Sequence, residues 1–501
     1  MTESMSCEIL IAGVGPVGAT LAALLADAGI DVIAVDKAHD IYPLPRAAHF
    51  DHEIMRVFQQ LGIADEVLRH ARPALGYEFR SAAGEVLVSF EVAPETGTPS
   101  GWASAYMFNQ PGLERALRAK LQAAPQVKLL LGTSFETLRA DAMGVTAQLA
   151  GPEGPLTLRA RYLIGCDGAW SPVRETIGSR LQDLQFDESW LVIDAIPPPG
   201  ARLPEINLQI CDPVRPTSCI PMGPGRHRWE FMLLPGERAE DVTDDGFIRS
   251  LLEKWETDVE IERKAVYRFH GLVADQWRIG RVLIAGDAAH QTPPFAGQGM
   301  CAGIRDAVNL AWKLRAVLRG QADDTLLDSY QLEREPHTRA YIQLAIDMGR
   351  VVCTLDPALA LARDTQMLEA RRAGIAPIPP AAPAPHAGPC IFTGTSAAGE
   401  LFPQALATQN GQTIRLDDTL GAEAWLLTAA PSQAVTPPGV LALNLNDPRL
   451  ASFHAPLAAW LAAQHAQAVL VRPDRYVFGT GTPETLLQAW EAALHPATAG
   501  L

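Results

Sequence analysis

The chain has 501 residues, 48% hydrophobic and 20% charged, which is ordinary for a globular protein and enough for about two to four domains with full cores. Its 41 basic and 57 acidic side chains leave a net charge of −16, which argues against nucleic acid or an anionic membrane as the main partner. The seven cysteines are scattered, with no C-x-x-C pair and no zinc-like Cys/His spacing, as expected of a cytoplasmic protein with neither a metal site nor a disulfide framework.

Residues 9–26, ILIAGVGPVGATLAALLA, are apolar enough to imitate a targeting signal. No Lys or Arg precedes them, Glu3 and Glu8 do, and three glycines and a proline interrupt them. The run reads instead as a strand (CEILIAG), a turn and a helix over 19–28, with Gly29 where a helix end favours a left-handed residue. DVIAVD is the next strand and completes a βαβ unit. Asp51 is placed to cap a helix whose face carries Ile54, Val57, Phe58 and Leu61. A further helix follows NQPG, with Leu113, Leu117 and Leu121 spaced by four.

From about Leu181 the texture changes. WLVIDAI, EINLQICD, TSCIPMG, RWEFMLL and EIERKAVYRF are short strand-like runs divided by Pro, Gly and Asp, which predicts an antiparallel sheet. GERAEDVTDD within it reads as a solvated loop and helix start. The α/β texture resumes at GRVLIAGD. Ile304, Val308, Ala311, Leu314 and Leu318 mark a long helix over 299–318, and more helix follows to about Arg372. The Pro/Ala-rich stretch 374–389 reads as an extended linker. AWLLTA, GVLALNL and AVLVRPDRYVFG then predict a small α/β domain, with helices between the strands and a last one near 483–494.

Three strand-and-turn phrases carry the chemistry. Gly13-Val14-Gly15-Pro16-Val17-Gly18 is a G-x-G-x-x-G between a strand and a helix: Gly13 allows the tight turn, Gly15 lets backbone approach a pyrophosphate, and Gly18 lets helix and strand pack closely. Asp36 ends the second strand, where an acid reaches a ribose hydroxyl pair, with Lys37 beside it. In RYLIGCDGAWSPVR a strand runs into Asp167-Gly168, and in GRVLIAGDAAH another runs into Gly286-Asp287. The first phrase alone leaves FAD and NAD open.

These phrases, in this order, resemble the class A flavoprotein aromatic hydroxylases, the group of para-hydroxybenzoate hydroxylase, and the resemblance covers the whole chain. PRAAHFDHEIMRVFQQLGI and GQGMCAGIRDAVNLAWKL look closest to the 3-(3-hydroxyphenyl)propionate hydroxylase branch, and AAGELFPQ and VLVRPDRYVFG are similar to its thioredoxin-like tail. The implied fold is α/β: a Rossmann-like FAD-binding domain over 1–180 and 276–373, an inserted antiparallel substrate-binding sheet over 181–275, the linker, and a thioredoxin-like domain over 390–501.

The resemblance also implies roles. Asp287 would hold the ribityl chain of FAD. Asp167 and Gly168 would serve the FAD diphosphate and NAD(P)H docking. Arg46 would sit beside the flavin and Gln110 near its ribityl side. Pro293 and Pro294 would line the reacting face, with Arg46 and Pro294 as the catalytic positions. Met300 and Cys301 would bring backbone amides to the pyrimidine ring; relatives often have asparagine at the latter position. Independently of the family, Gly297, Gly299 and the start of the long helix offer N–H groups and a positive dipole end to negative charge on reduced flavin, an effect of about 0.3–2 kcal/mol. His290 reads as structural rather than as a base, and Cys301 as a small buried residue rather than a reactive thiol.

The implied reaction is hydroxylation of a phenolic ring through a flavin C4a-hydroperoxide, with NADPH or NADH and O2 as co-substrates and a 3-(3-hydroxyphenyl)propionate-like substrate; the family also suggests a homodimer. Alternatives are a larger polycyclic, polyketide or antibiotic substrate, and, from other classes, a non-oxygenase flavin electron carrier or sensor, or an oxidase or halogenase, although the W-x-W-x-I-P phrase of the halogenases is absent. Arg215, His227 and Arg228 are candidate cations for a substrate carboxylate, each read more readily as structural.

Overall fold

The computed structural model describes residues 5–44, 46–375 and 387–495, so 376–386 of the expected linker lie outside the described residues. Strand Met5–Ala12 is central in the main sheet, paired in parallel with Val32–Asp36 on one side and Gly154–Gly165 on the other. Val127–Leu131 and Val282–Ile284 extend the parallel run at its two edges. Ile9, Leu10 and Ile11 have no exposed surface, as a parallel strand covered on both faces requires. The helix after Met5–Ala12 is Pro16–Asp27 and starts at Pro16 rather than at Ala19, because proline fits the first helical position, where no N–H partner is needed. It packs against Gln110–Ala123 and Gly299–Leu318. A hairpin, Ser134–Asp141 and Gly144–Gly151, adds to Gly154–Gly165 in antiparallel fashion. The sequence reading passed over this hairpin because much of its surface faces solvent and leaves no continuous apolar run.

The second sheet contains all five expected strands: Leu181–Ile196, Asn207–Cys211, Thr217–Pro221, His227–Met232 and Glu260–Ala274. It also takes in the hairpin Tyr77–Ser81 and Val86–Phe90, which the expected boundaries assign to the FAD-binding part. Tyr77–Ser81 joins it by parallel pairing with Asn207–Cys211, a long-range contact without a local sequence signal. Alternation then divides the sheet's two faces. Leu191, Ile193, Trp229 and Phe231 close a satellite core with helix Asp245–Leu252. Trp190, Met232 and Phe79 point the other way, into the main core.

The C-terminal sheet has the order Val440–Asn444, Ala424–Thr428, Ala468–Val471, Val477–Gly481; the first pair is parallel and the others antiparallel. Residues 429–439 cross over as turn and loop, not as the helix expected between these strands; two prolines and a glycine stand at 437–439. His454–Ala463 and Pro483–Leu494 are helices. Trp425, Leu427, Val469 and Val471 face the domain's own core, while Leu426, Leu470 and Phe478 belong to the main core. The domain is therefore fused to the rest through one face of its sheet. Among the described residues, no helix is long and apolar enough to cross a membrane, and no group of three or more His, Cys, Asp or Glu could hold a metal.

Candidate functional site

Ala12, Gly165 and Ile284 are register partners across neighbouring parallel strands, and Ala12 also pairs with Val35. The turns that follow therefore leave the sheet at one edge and bring together Gly13, Asp36, Asp167 and Asp287. Backbone bonds lock the edge: Gly13 N–H donates to Val35 O (2.8 Å), Cys166 N–H to Ala12 O (2.7 Å) and Ala285 N–H to Gly165 O (2.9 Å). The carboxyl ends of parallel strands, facing a crevice, are where open α/β sheets bind ligands.

At the first turn, Gly13 has φ +98°, and a Cβ there would stand 2.2 Å from Cys166 O, so two strand ends meet only because the side chain is absent. A Cβ on Gly18 would lie 2.0 Å from Gly13 O, which sets the close helix–strand packing. Gly15 differs: nothing lies within 4 Å of its Cβ position, so its backbone faces open space. It is also the N-cap of Pro16–Asp27 without a side-chain cap, leaving first-turn N–H groups to an anion. Asp36 accepts from Val14 N (2.8 Å) and Ala38 N (2.9 Å), which fixes its carboxylate beside this turn. Lys37 is exposed at the same strand end.

At the second turn, Asp167 Oδ2 accepts from Val173 N (3.0 Å), while buried Oδ1 has no partner among the described residues. Gly168 has φ +85° and open space at its Cβ position. Arg174 bridges to the third turn, donating to Ala169 O (2.9 Å) and Ala288 O (3.0 Å).

At the third turn, Gly286 N–H donates to Asp306 Oδ2 (3.1 Å), which also accepts from His290 Nε2 (2.7 Å), while Asp306 Oδ1 takes Arg334 Nε (2.9 Å). Burial opposes ionisation of Asp306, but His290 and Arg334 hold its carboxyl below the usual range. His290 is thus a structural clamp. Asp287 itself is solvent-exposed yet ringed by protein, and burial pushes its carboxyl up against the pull of His290 and Arg46. An acid reached by water but surrounded by protein lines a crevice rather than an outer surface.

Arg46 is half-exposed and lies 3.8 Å from Glu114. Its loop is held by Gln110, whose Oε1 accepts from Arg46 N (3.2 Å) and Ala47 N (2.6 Å) while Nε2 donates to Glu114 (2.6 Å). Gln110 is buried, and its amide is largely taken up in placing the Arg46 loop. Pro293 and Pro294 lead through a short 3-10 turn to Gly297, φ +63°, whose carbonyl lies 3.1 Å from His49 Nδ1. In Gly299–Leu318 the first N–H bonded to the preceding turn is Ala302, to Gln298 O (2.8 Å), so those of Gly299, Met300 and Cys301 point out of the helix end. Cys301 is fully buried, its thiol 3.8 Å from Gly297 O and pushed far up by burial, as in an inert structural cysteine.

The candidate substrate cations are all engaged. Arg215 pairs with Glu237 (2.5 Å), and Arg228 with Asp194 (2.7 and 3.1 Å) while also donating to Arg46 O (2.7 Å). His227 is held neutral, lowered to about 4 by burial and Arg72, and packs on Trp229 on the satellite-core face of its strand, away from Arg228. Asp306, Arg174 and the buried acid Glu230 were missed by the sequence reading. The available signal was a charged residue inside an otherwise buried stretch, which periodicity alone assigns to the solvent side.

The three turns, the open backbone at Gly15, the unpartnered Asp167 oxygen and two helix starts define a dinucleotide-binding enzyme. Residues 6–345 match the family model of the FAD binding domain, and residues 446–496 that of the HcaD C-terminal domain. A probable NADH-specific resorcinol 4-hydroxylase of Rhodococcus jostii (strain RHA1) is 38% identical over 94% of this chain and 91% of its own length. A 3-(3-hydroxy-phenyl)propionate/3-hydroxycinnamic acid hydroxylase of Mycolicibacterium smegmatis (strain ATCC 700084 / mc(2)155) is 34% identical over 96% and 84%. Among solved structures, aklavinone-11 hydroxylase with FAD and aklavinone aligns with a TM-score of 0.79 at 26% identity, covering 99% of this chain and all (100%) of that one. The flavin-dependent monooxygenase PieE shares the fold, with a TM-score of 0.81 at 23% identity over 99% and 100%. The chain belongs to the class A flavoprotein aromatic hydroxylases: it is an FAD-dependent aromatic monooxygenase.

Proposed function

We propose that the chain uses NADH to hydroxylate a small uncharged phenol of the resorcinol type. One observation carries the substrate class: the arginines of the sheet roof are already matched by acids, Arg228 and Arg263 by Asp194 and Glu230 together and Arg215 by Glu237. A substrate carboxylate entering there meets no unmatched cation, and burying an unpaired charge is costly. The relative named for resorcinol and NADH supports the same direction. The phenylpropionate reading keeps the support of relatives such as that at 34% identity, but needs a cation from elsewhere.

FAD, when bound, supplies the redox chemistry with NADH and oxygen; the chain binds, orients and shields. Gly13, Gly15 and Gly18 with the start of Pro16–Asp27 would hold the pyrophosphate, Asp36 with Lys37 the ribose side, and Asp287 the ribityl hydroxyls. Asp167 and Gly168 would serve the diphosphate and the docking of the nicotinamide donor. Gln110 positions Arg46 at the flavin edge. Pro293 and Pro294 would line the reacting face, and the amides of Gly299, Met300 and Cys301 would face the charge-bearing part of the ring, whereas the Gly297 amide expected beside them is taken up by Pro294 O (2.8 Å) within the 3-10 turn. The C-terminal domain is a thioredoxin-like packing unit; its sheet order and strand directions support this, and its lone, buried Cys390 makes it redox-inert.

The test compares NADH oxidation in air, with product mass, for resorcinol and 3-(3-hydroxyphenyl)propionate. We expect resorcinol to gain one oxygen atom with kcat/KM at least about tenfold higher, the effect of roughly 1.4 kcal/mol against an unmatched carboxylate. Preferential turnover of the phenylpropionate overturns the substrate class.

A further inference from the structure

Glu230 lies on strand His227–Met232, opposite Ser218 on one neighbouring strand and Val192 on the other. Its sequence neighbours Trp229 and Phe231 point into the satellite core, so Glu230 points to the other face. That face looks onto the Pro293–Pro294–Phe295 turn: Trp190, register partner of Met232, has its ring 5.6 Å from Phe295, and Tyr77 OH donates to Phe295 O (2.7 Å). Gln209, Ser218 and Glu230 form a buried polar row across three strands of this face, with Ser218 Oγ donating to Gln209 Oε1 (2.6 Å).

The row is complete at one end and open at the other. Glu230 is only 4% exposed, and no described group donates a hydrogen bond to its carboxylate. Among the described residues its only ion-pair partner is Arg228 at 3.7 Å, and Arg228 is already engaged at 2.7 Å by Asp194. Arg228 and Arg263 balance Asp194 and Glu230 in charge, but Asp194 holds the close contacts, and a buried carboxylate without a hydrogen-bond donor of its own is costly at a purely structural position. The charged and titratable groups around it are Arg228 on its own strand, Asp194 on the strand of Val192, Arg263 on the strand beyond it, and Tyr77 on the hairpin side. Burial raises its carboxyl to about 6, Arg228 opposes, Asp194 adds to the rise and Arg263 opposes. Such a group is ionised at neutral pH and near the matched range for a proton acceptor.

We infer that Glu230 receives the substrate's hydroxyl: its carboxylate accepts the O–H hydrogen bond and, as the ring reacts, takes the proton while the electron pair of the broken O–H bond stays on the ring oxygen. The electron-rich ring that results is the form open to oxygen attack, and the proton returns to the ring oxygen in the product. This rests on the phenol reading above and deepens it, because an acid at this position favours a hydroxyl donor and repels a carboxylate.

The experiment measures resorcinol binding to the FAD-loaded protein by titration calorimetry from about pH 5 to about pH 7.5, a range in which an ordinary phenol stays protonated. In the wild type, affinity rises as Glu230 ionises near pH 6. In Glu230→Gln the rise disappears, binding at neutral pH falls about tenfold, and kcat/KM for hydroxylation falls roughly 100-fold or more. Wild-type affinity that is flat across the range overturns the inference without need of any variant, as does a folded Glu230→Gln that binds like the wild type. A wild type that binds resorcinol with the pH step but does not hydroxylate it overturns the substrate reading and leaves the Glu230 assignment standing. A wild type that does not bind resorcinol overturns both.

Discussion

Asp287 shows how much a single side chain depends on what surrounds it. In sequence it is an acid one residue past a buried strand and a glycine. In the fold it meets solvent while surrounding protein raises its carboxyl, so it ionises more easily once hydroxyls or cations approach. We expect Asp287→Ala to retain FAD about ten- to hundredfold more weakly, the loss of one charged hydrogen-bonding group, seen as a lower flavin-to-protein absorbance ratio after gel filtration. A variant that purifies fully yellow with normal affinity removes the ribityl role. Cys301 runs the other way: the departure from asparagine lies in a side chain that is buried and protonated, and only its backbone amide faces the helix end.

At the scale of elements, the three turns are held by groups that never face a ligand. Asp306, on the first half of Gly299–Leu318, receives Gly286 N–H, His290 and Arg334, and so ties the third turn to two helices. Val17 completes the junction: a Cβ on Gly303 would stand 2.6 Å from its Cγ2, and one on Gly286 3.0 Å away. Asp306→Asn leaves the Arg334 guanidinium buried without its counter-charge, for which about 3–5 kcal/mol of destabilisation is expected. Thermal melting of the FAD-free protein reads this directly, with weaker FAD binding as the Gly286–Asp287 turn loosens. An unchanged melting temperature rejects the clamp.

For the whole molecule, the C-terminal domain is bolted on by buried charge as well as by shared core. Arg56 forks onto Asp417 (both contacts 2.7 Å), and Arg472 and Lys313 converge on Glu333 (2.9 Å each). Burial opposes ionisation of Glu333, yet Arg472 and Lys313 lower its carboxyl from 4.5 to about 2. A depressed folded value means the stabilisation is fully present above pH 4.5 and is lost as pH falls through about 2. Glu333→Gln should therefore be less stable than the wild type at neutral pH, by about 3 kcal/mol, with the gap closing between pH 4.5 and about 2. Denaturant melts at several pH values measure it; a gap that does not change with pH excludes this linkage.

The polar side of Gly299–Leu318 marks where sequence legibility ended. Arg305, Asp306, Asn309 and Lys313 fall off the apolar stripe and read as a solvent face, yet all are buried, because helix Ser329–Val352 and the C-terminal domain cover them. The same limit hid the joining of Tyr77–Ser81 to the roof sheet and the matching of Arg228 and Arg263 by Asp194 and Glu230. The three turns, the order of the α/β and antiparallel segments, the capping acid Asp51 and the start of Gly299–Leu318 were legible, since each is a local consequence of glycine conformation, apolar period or backbone hydrogen bonding. Which charges neutralise one another, which face of a strand meets the Pro293–Pro294 turn, and which acid is left without a close hydrogen-bond donor at Glu230 depend on side chains tens to hundreds of residues apart. Tertiary packing alone decided those, because burial and pairing are properties of the assembled surroundings and not of the local chain.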